Sequence, residues 1–492
     1  MKKEKLKSLL DIGSNTVRLV VYAPPYRFPN VFINKRFYCE LGKGLSKNKK
    51  IDNKKLSNFY NALKVFKSIL TDYNVKEFEI LGTAAIREAS NSITIKRKIR
   101  EILSKNIKIL SGKEESSLAG MSIISTVDNP RGLVADLGGG SLELVRVNKK
   151  TINSNKSLKI GTLRYYNDNK FLNISFLKKE ILDKLKKSGV LNKNFNEIYL
   201  IGGAFRYLCK RYLNEIKCPN KIIHNFKVTK KDCRKFKMFL NKELLSVTSK
   251  NVDRLTNKEM TVPVAAIFLI ILIRNFKDVP IYFSEYGLRE GYNFSKLSKR
   301  VKDSDPFIES CKFISNLDSR NNCASDIHKY FIKMIPKKLN LDYRILEGVS
   351  YLSDTHWKIL SEYRSIQSFL RTLRYSWVGI NFEQRLFVAY CLYNRYGSTK
   401  KYSGEVERQI VQLSNKERLS CEFLGLLLKG IYTASSGSKK LLNKEFLVFN
   451  NKKNEYEINL KYKNTNIKKK DKIKKIKQIN KKKKLIQKNK KR

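Results

Sequence analysis

The sequence predicts an α/β protein of two similar lobes facing a shared cleft, followed by a helical domain and a basic tail. The first observation is a duplicated turn. Residues 11–16 read DIGSNT and residues 136–141 read DLGGGS, both fitting D-x-G-x-x-[ST] at an offset of 125 residues. Each copy follows apolar residues (Leu9 and Leu10; Val134 and Ala135) and precedes an apolar-rich run (17–22; 142–147), a strand–turn–strand pattern. Backbone N–H groups in such a turn form an anion-binding nest, and an aspartate beside it can hold a cation that bridges to the same anion. The second observation is the alternation of strand and helix patterns through 1–125 and again through 126–299. The third is the change to long helical patterns over 300–412.

In residues 1–125, strands are expected at 6–12, 17–23, 31–38, 77–82 and 106–110, and helices at 54–72 and 92–104. The first helix rests on Leu56, Phe59, Tyr60, Leu63, Phe66 and Leu70 at helical spacing. GTAAIREASN (82–91) follows a strand and opens a helix, which puts Arg87 about one turn in, where it can face the cleft. Ser111 and Glu114 form the S-x-x-E pattern of a capping box ahead of Leu118, Met121 and Ile124. Glu114 therefore has a structural task. Glu115 shares a face with Leu118 and Ala119, and a carboxylate at the edge of an apolar face is a candidate general base. The alternative is a solvated first-turn glutamate that complements the helix dipole.

In residues 126–299, Gly138, Gly139 and Gly140 are expected to turn through conformations that only glycine takes readily. A strand over 155–163 should end at Gly161, a helix follows at 175–188, and a strand at 198–201 runs into Gly202-Gly203 and a helix. That junction suits either backbone contact with phosphate or tight strand–helix packing. The stretch 281–291 reads as a strand and then a turn. The longest apolar run, 262–273, contains Pro263 and is too short to span a bilayer, so it predicts a buried helix.

Asp305-Pro306 marks a boundary, after which helices are expected at 306–316, 320–334, 338–353, 358–374 and 381–394. Two of the three histidines (224, 328, 356) lie here, but no His-Asp dipeptide occurs, which favours structural histidines over a metal site. A small region, 413–462, should hold a helix at 418–432 and short strands within 441–459 that turn at Asn450-Asn451. Residues 463–492 carry 16 basic residues against Asp471 alone. Ile473, Ile476 and Ile479 would suit a basic helix on a polyanion, but alone the tail is expected to be disordered, having too little apolar surface to bury.

The whole chain carries 102 Lys+Arg against 44 Asp+Glu, a formal charge of +58, of which +43 lies outside the tail. Such a field concentrates anions, although lysine, asparagine and isoleucine are also abundant throughout. Eight cysteines without a C-x-x-C pair, and no signal-like leader, point to reduced thiols in a cytoplasmic protein with no membrane partner.

DIGSNTVRLVVY, GTAAIREASN, ILSGKEESSLAG and VADLGGGSLELV, in this order, resemble the exopolyphosphatase and guanosine pentaphosphate phosphohydrolase family, and SLKIGTLR, IGGAFR and YGLREG resemble its later motifs. The likeness is dense over roughly residues 8–295. It continues weakly over 306–410, which resembles the helical HD-like domain of long members. It implies two actin-like (ribonuclease H-like) lobes around a cleft, here 1–125 and 126–299, and an all-α HD-like domain over 300–412. It also implies hydrolysis of terminal phosphate with Mg²⁺, from inorganic polyphosphate or from the 5′ end of guanosine pentaphosphate.

The resemblance further assigns roles to residues. Glu115 matches the general base and Asp136 the acid that positions metal or attacking water. Glu143 matches the carboxylate beyond GGGS, and Asp11 the metal acid of the first lobe. Asn15, Thr16, Arg18, Arg87, Gly138, Gly139, Gly140 and Ser141 match phosphate-contacting positions. The chemistry is coherent, since phosphoryl transfer needs charge neutralisation and positioning more than covalent help. Asp11, Asp136 and Glu143 would share one Mg²⁺, which takes carboxylates, waters and substrate oxygens together. Thr16 stands in place of the usual serine and Leu142 in place of the common threonine. Exopolyphosphatase activity is the leading expectation and guanosine pentaphosphate hydrolysis the next. An actin-like ATPase or sugar kinase, or a non-catalytic polyanion binder, is more remote. A homodimer and polyanion contact through the lysine tail complete the expected partners.

Overall fold

The computed structural model describes residues 5–45, 49–165, 173–250, 254–277, 279–320, 323–336, 339–397, 404–435, 437–442, 447–450, 455–458 and 469–488. The chain forms two compact units, Met1–Ser304 and Asp305–Arg492.

In the first unit, β1 (Lys7–Ile12) and β2 (Thr16–Tyr22) pair antiparallel around the DIGSNT turn, and β3 (Val31–Tyr38) extends the meander. Helix α1 (Asn53–Asp72) starts at Asp52, whose carboxylate accepts from the Lys55 N–H, and crosses to β4 (Glu77–Gly82), parallel to β1. Helices α2 (Ala84–Glu88) and α3 (Ser92–Leu103) lead to β5 (Lys108–Ile109), parallel to β4. After α4 (Gly112–Thr126), strands β6 (Arg131–Leu137), β7 (Leu142–Asn148) and β8 (Thr151–Leu158) form a second antiparallel meander. Helix α5 (Ile174–Lys187) crosses to β9 (Ile198–Ile201), parallel to β6. Then come α6 (Gly203–Glu215), β10 (Phe226–Val228), α7 (Cys233–Thr248) and α8 (Val262–Asn275). Strand β11 (Ile281–Phe283), parallel to β9, is followed by α9 (Leu288–Ser295) and α10 (Lys299–Asp303).

The sheets run β3-β2-β1-β4-β5 and β10-β11-β9-β6-β7-β8. The run β8-β7-β6-β9-β11 therefore repeats the order and sense of the first sheet, with β10 added antiparallel at one edge. The duplicated turn is thus the visible part of a duplicated fold. This is the two-lobed α/β architecture expected from the sequence.

Helix α4 is the wedge between the sheets. Its Leu118 packs with Leu9, Val20, Tyr22 and Leu81 of the first sheet, while Ala119 and Ile123 pack with Val134, Val145, Tyr199 and Ile201 of the second. A helix buried on two sides needs small residues, and its serines would be costly there unless bonded. The hydroxyls of Ser116, Ser122, Ser125 and Thr126 each donate to a carbonyl three or four residues back, at 2.7–2.9 Å. A Cβ on Gly291 would lie 1.9 Å from the Leu118 carbonyl oxygen, so that glycine lets α9 cross against α4. On the outer face of the second sheet, α5 to α8 complete an extensive core. Helix α8 is buried along all of 262–273, as its apolar run predicts, and no helix among the described residues is long and apolar enough to cross a membrane.

Several expectations are corrected. Strand β8 ends at Leu158, not at Gly161. Residues 288–295 form a helix where a turn was expected, and β10 and α7 carried no predicted element. Gly138, Gly139 and Gly140 do not adopt positive φ. Close approach accounts for two of them: a Cβ on Gly139 or Gly140 would meet Ser14 Cβ at 3.0 Å or Ala84 Cβ at 2.8 Å.

The second unit begins at Asp305, at the Asp305-Pro306 boundary read from the sequence. It contains α11 (Pro306–Asp318), α12 (Ala324–Met334), α13 (Tyr343–Leu352), α14 (Ser361–Arg374) and α15 (Phe382–Tyr396). Helices α16 (Gly404–Ile410), α17 (Asn415–Ser435) and α18 (Lys439–Leu442) follow, then the hairpin β12 (Leu447–Asn450) and β13 (Glu455–Ile458). The expected turn residue Asn451 lies outside the described residues. No break falls at 412, because α17 packs closely on α15: a Cβ on Gly425 would meet Asn394 Cβ at 2.4 Å.

The described part of the lysine tail is a helix, α19 (Lys469–Lys488), where disorder was expected. Its Ile479 and Ile486 are buried, and Asn480 bonds both the N–H (2.8 Å) and the carbonyl (3.2 Å) of Tyr456. The apolar surface missing from the tail alone comes from the rest of the unit.

Candidate active site

The carboxyl ends of parallel strands are where ligands meet open α/β sheets, and in the first unit those ends converge. Asp11 lies near the end of β1 and Asp136 near the end of β6. The two turns are built alike: Gly13 N–H donates to Thr16 O (3.0 Å) and Gly138 N–H to Ser141 O (2.9 Å). They abut, with Gly139 and Gly140 against Ser14. The N–H groups of Ser14, Asn15, Gly139 and Gly140 donate to nothing among the described residues, the condition for an anion nest.

Glu115 enters from the first turn of α4. The capping box is formed, with Glu114 N–H donating to Ser111 Oγ (3.2 Å) and Ser111 N–H to Glu114 Oε2 (2.9 Å), so Glu114 is occupied and Glu115 turns inward. Glu115 is 6% exposed and pairs with Arg87, which also donates to Leu110 O at 2.5 Å. Burial pushes the Glu115 carboxyl up to about 7, against the pull of Arg87 and with help from Asp136 and Asp11. Burial also raises Asp136 to about 6, opposed by Arg206. Glu143, directly opposite Asp136 in the β6–β7 ladder, is pushed well above the carboxylate range by burial, Glu115 and Asp136. The Ser157 hydroxyl donates to Glu143 Oε1 at 3.0 Å, and the Ser141 side chain also stabilises the Glu143 carboxylate.

Asp11 is held differently. Arg289 Nη1 donates to Asp11 Oδ2 at 3.1 Å. Burial raises the Asp11 carboxyl while Arg289 and Arg18 pull it down. Burial disfavours the Arg289 charge, yet Glu290 and Asp11 keep its guanidinium above its ordinary value. Glu290 is itself fixed by Gly287 N–H (2.8 Å) and Tyr22 O–H (3.2 Å). Asp11, Asp136 and Glu143 therefore do not form a preassembled ligand trio, and no group of three metal-ligating side chains exists among the described residues. Arg289 occupies the charge of Asp11. Thr16 closes its turn through the backbone, and Arg18 bonds Asn34 Oδ1 at 2.5 Å.

Sequence reasoning assigned no role to Arg206, Arg289, Glu290 or Arg164, although IGGAFR, YGLREG and SLKIGTLR contain them. Arg206 and Arg289 lie in the first turns of α6 and α9, and helical side chains reach back towards the N-terminus, here towards Asp136 and Asp11. Burial lowers the Arg206 guanidinium, with Arg289 adding to it. Arg164 pairs with Glu88 of α2 at 2.5 Å and also donates to Gly140 O, joining the two lobes beside the turns. Two buried atoms here have no hydrogen-bond partner among the described residues, Asn15 Oδ1 and Arg289 Nε, the latter 4.0 Å from Glu290 Oε1.

Apposed carboxylates with raised proton affinity can share a proton or a cation, because like charges directly opposite on neighbouring strands are unfavourable without one. Asp136 and Glu143 fit an oxygen-seeking divalent ion such as Mg²⁺.

A model of the Ppx/GppA phosphatase family matches residues 20–300, more than half of the chain. The bifunctional 3-dehydroquinate synthase/phosphatase of Fusobacterium nucleatum is 26% identical over 273 residues, covering 51% of this chain and 40% of that protein. The guanosine-5′-triphosphate,3′-diphosphate pyrophosphatase of Aliivibrio fischeri is 29% identical over 157 residues, 32% of each. The chain thus spans less than half the length of these curated relatives. The crystal structure of an exopolyphosphatase from Cytophaga hutchinsonii superposes with a TM-score of 0.51 at 20% identity, over 58% of this chain and 96% of that one, a likeness of fold. The chain belongs to the Ppx/GppA phosphatase family.

Proposed function

We propose that the first unit is an Mg²⁺-dependent exopolyphosphatase that hydrolyses the terminal phosphoanhydride of inorganic polyphosphate. The observation that carries this reading is Glu115: a buried carboxyl raised to about 7, paired with Arg87 and within the electrostatic reach of Asp136 and Asp11. A base with that proton affinity accepts a proton from water near neutral pH, which is what general-base hydrolysis requires.

Asp136 and Glu143 would hold the Mg²⁺. When bound, it supplies charge neutralisation at the phosphate oxygens. The turn N–H groups of 14–15 and 139–140, with Arg18 and Arg87, hold the terminal phosphate. Arg206 and Arg289 set the positive potential around Asp136 and Asp11. Glu115 orients the attacking water in line and takes its proton. Family membership and the resemblance to the Aliivibrio fischeri protein support a second substrate, guanosine pentaphosphate, at the same residues. The second unit is read as HD-like, and its basic helix α19 as a polyanion contact.

The test is orthophosphate release with Mg²⁺ from long-chain polyphosphate and from guanosine pentaphosphate, for wild type and Glu115→Gln. We expect release mainly from the polymer, falling by about 10²–10⁴-fold in the variant, the range of a lost general base. Release mainly from the nucleotide would move the activity to the second substrate. Undiminished turnover in Glu115→Gln would discard the mechanism.

A further inference from the structure

We infer that the open strip of the first sheet beside the site binds the phosphate groups that follow the terminal one, with Arg36 as its outermost anchor. This rests on the proposed hydrolysis of a phosphoanhydride and specifies the shape of its substrate. Strand register carries the inference. Asp11 pairs with Arg18 across β1–β2, and Arg18 pairs with Arg36 across β2–β3. Thr16, which closes the phosphate-cradling turn, pairs with Tyr38, and Val20 pairs with Asn34. Directly opposed residues stand on the same face of a sheet. A row therefore leaves the site at Asp11 and crosses two strand spacings, about 9.5 Å, to the free edge at β3.

The other face of these strands is closed, since Leu10, Ile12, Val17, Leu19 and Val21 all lie in the core that α1 and α3 complete. On the row's own face, Leu9, Val20 and Tyr22 pack with Leu118 of α4 and Tyr292 of α9. That cover leaves Asn34 and Arg36 exposed and Tyr38 at 40% exposure.

The charge on this strip is compensated only in part, by Asp11 and Glu290 at its inner end. Arg18 and Arg36 face each other directly, an unfavourable like-charge pair, and neither pairs with a carboxylate among the described residues. Arg18 donates to Asn34 Oδ1, and the Arg36 guanidinium lies 4.9 Å from the centroid of the Tyr38 ring. Arg289, bonded to Asp11, stands at the inner end of the row, and it and Arg206 add to the positive potential at Arg18 against Glu290. Two opposed arginines become favourable together when an anion bridges them, and guanidinium forks suit phosphate oxygens. Single-stranded nucleic acid would call for a succession of aromatic stacking platforms. The strip offers one ring, already covered by Arg36, so a bare run of phosphates is the better fit. An inorganic chain and a nucleoside oligophosphate share that chemistry.

The experiment is a titration of the full chain, without Mg²⁺, against four probes: pyrophosphate, long-chain polyphosphate, guanosine pentaphosphate and an RNA oligonucleotide. Wild type, Arg36→Gln and Arg36→Glu are compared. Arg36 is exposed, so both variants should melt with wild type. Loss of one charge-assisted contact predicts that Arg36→Glu weakens long-chain binding at least about tenfold and pyrophosphate, which stays at the inner site, by less than about twofold. Arg36→Gln should fall between. A loss confined to polyphosphate identifies an inorganic chain as occupant, and one shared with guanosine pentaphosphate a nucleoside oligophosphate. Equal weakening of pyrophosphate, equal weakening of RNA, or no effect on any probe would overturn the inference. If wild type hydrolyses none of these compounds, the hydrolase reading falls, while the titration still decides the strip.

Discussion

Removing divalent cations should give this protein an inverted pH–stability profile. Glu115 and Asp136 are protonated more readily in the folded chain, at about 7 and about 6, than ordinary glutamate and aspartate at 4.5 and 3.8. Between those limits the native state carries more bound protons than the unfolded state, so stability falls as pH rises. One unit of pKa is worth about 1.4 kcal/mol. From about pH 5.5 to 8, Glu115 covers about 1.5 units and Asp136 about half a unit, a combined loss of about 2–3 kcal/mol. For a unit of this size that lowers the melting temperature by about 5 °C. Scanning calorimetry in chelator at the two pH values reads the difference directly. Saturating Mg²⁺ should flatten it, because the cation replaces the protons, and Glu115→Gln should remove about 2 kcal/mol of it. A metal-free melting temperature equal at both pH values, or higher at about pH 8, would refute the reasoning. So would a slope unchanged in Glu115→Gln.

Arg289→Ala leaves the half-buried Asp11 and the buried Glu290 without their shared partner and should destabilise the first unit by about 2–3 kcal/mol in chemical denaturation, below the full cost of breaking a fully buried pair. Gly291→Ala places a Cβ 1.9 Å from the Leu118 carbonyl oxygen and must push α9 off α4. A loss of at least about 2 kcal/mol is expected, readable in the same denaturation series. Asn480→Ala removes both bonds to Tyr456 and should speed amide exchange throughout α19 while leaving that of α4 unchanged.

The architecture was legible because duplication writes itself twice. Two D-x-G turns with apolar flanks are local features, and short strands such as 31–38 and 77–82 were placed correctly from patterning. Glu115 was legible for a related reason: the capping box accounts for Glu114 and leaves its neighbour without a structural task. What escaped was long-range. Arg289 gains meaning only when α9 crosses α4 and sets it beside Asp11, 278 residues earlier in the chain. Nothing in YGLREG announces that contact. The tail misled for the same reason. Its isoleucines look too few to fold when taken alone, and the surface that completes them belongs to α17 and the β12–β13 hairpin.

The duplication also shows how one turn can serve two chemical ends. In both lobes the aspartate sits seven residues ahead of its cross-strand partner, Arg18 for Asp11 and Glu143 for Asp136. The partner's sign differs, and the electrostatics follow from it. In the first lobe, Arg18 and the incoming Arg289 neutralise the aspartate and leave net positive charge facing outward along β2 and β3. In the second, Glu143 doubles the negative charge, and burial makes that charge costly unless a proton or a cation shares it. The shared cleft therefore has one cationic wall and one carboxylate wall, separated by glycines that allow the two turns to touch. On the proposed reading the first wall takes the phosphate and the second takes the metal and the water. On the same reading Glu115, on the helix packed against both sheets, is an acid placed to serve both tasks.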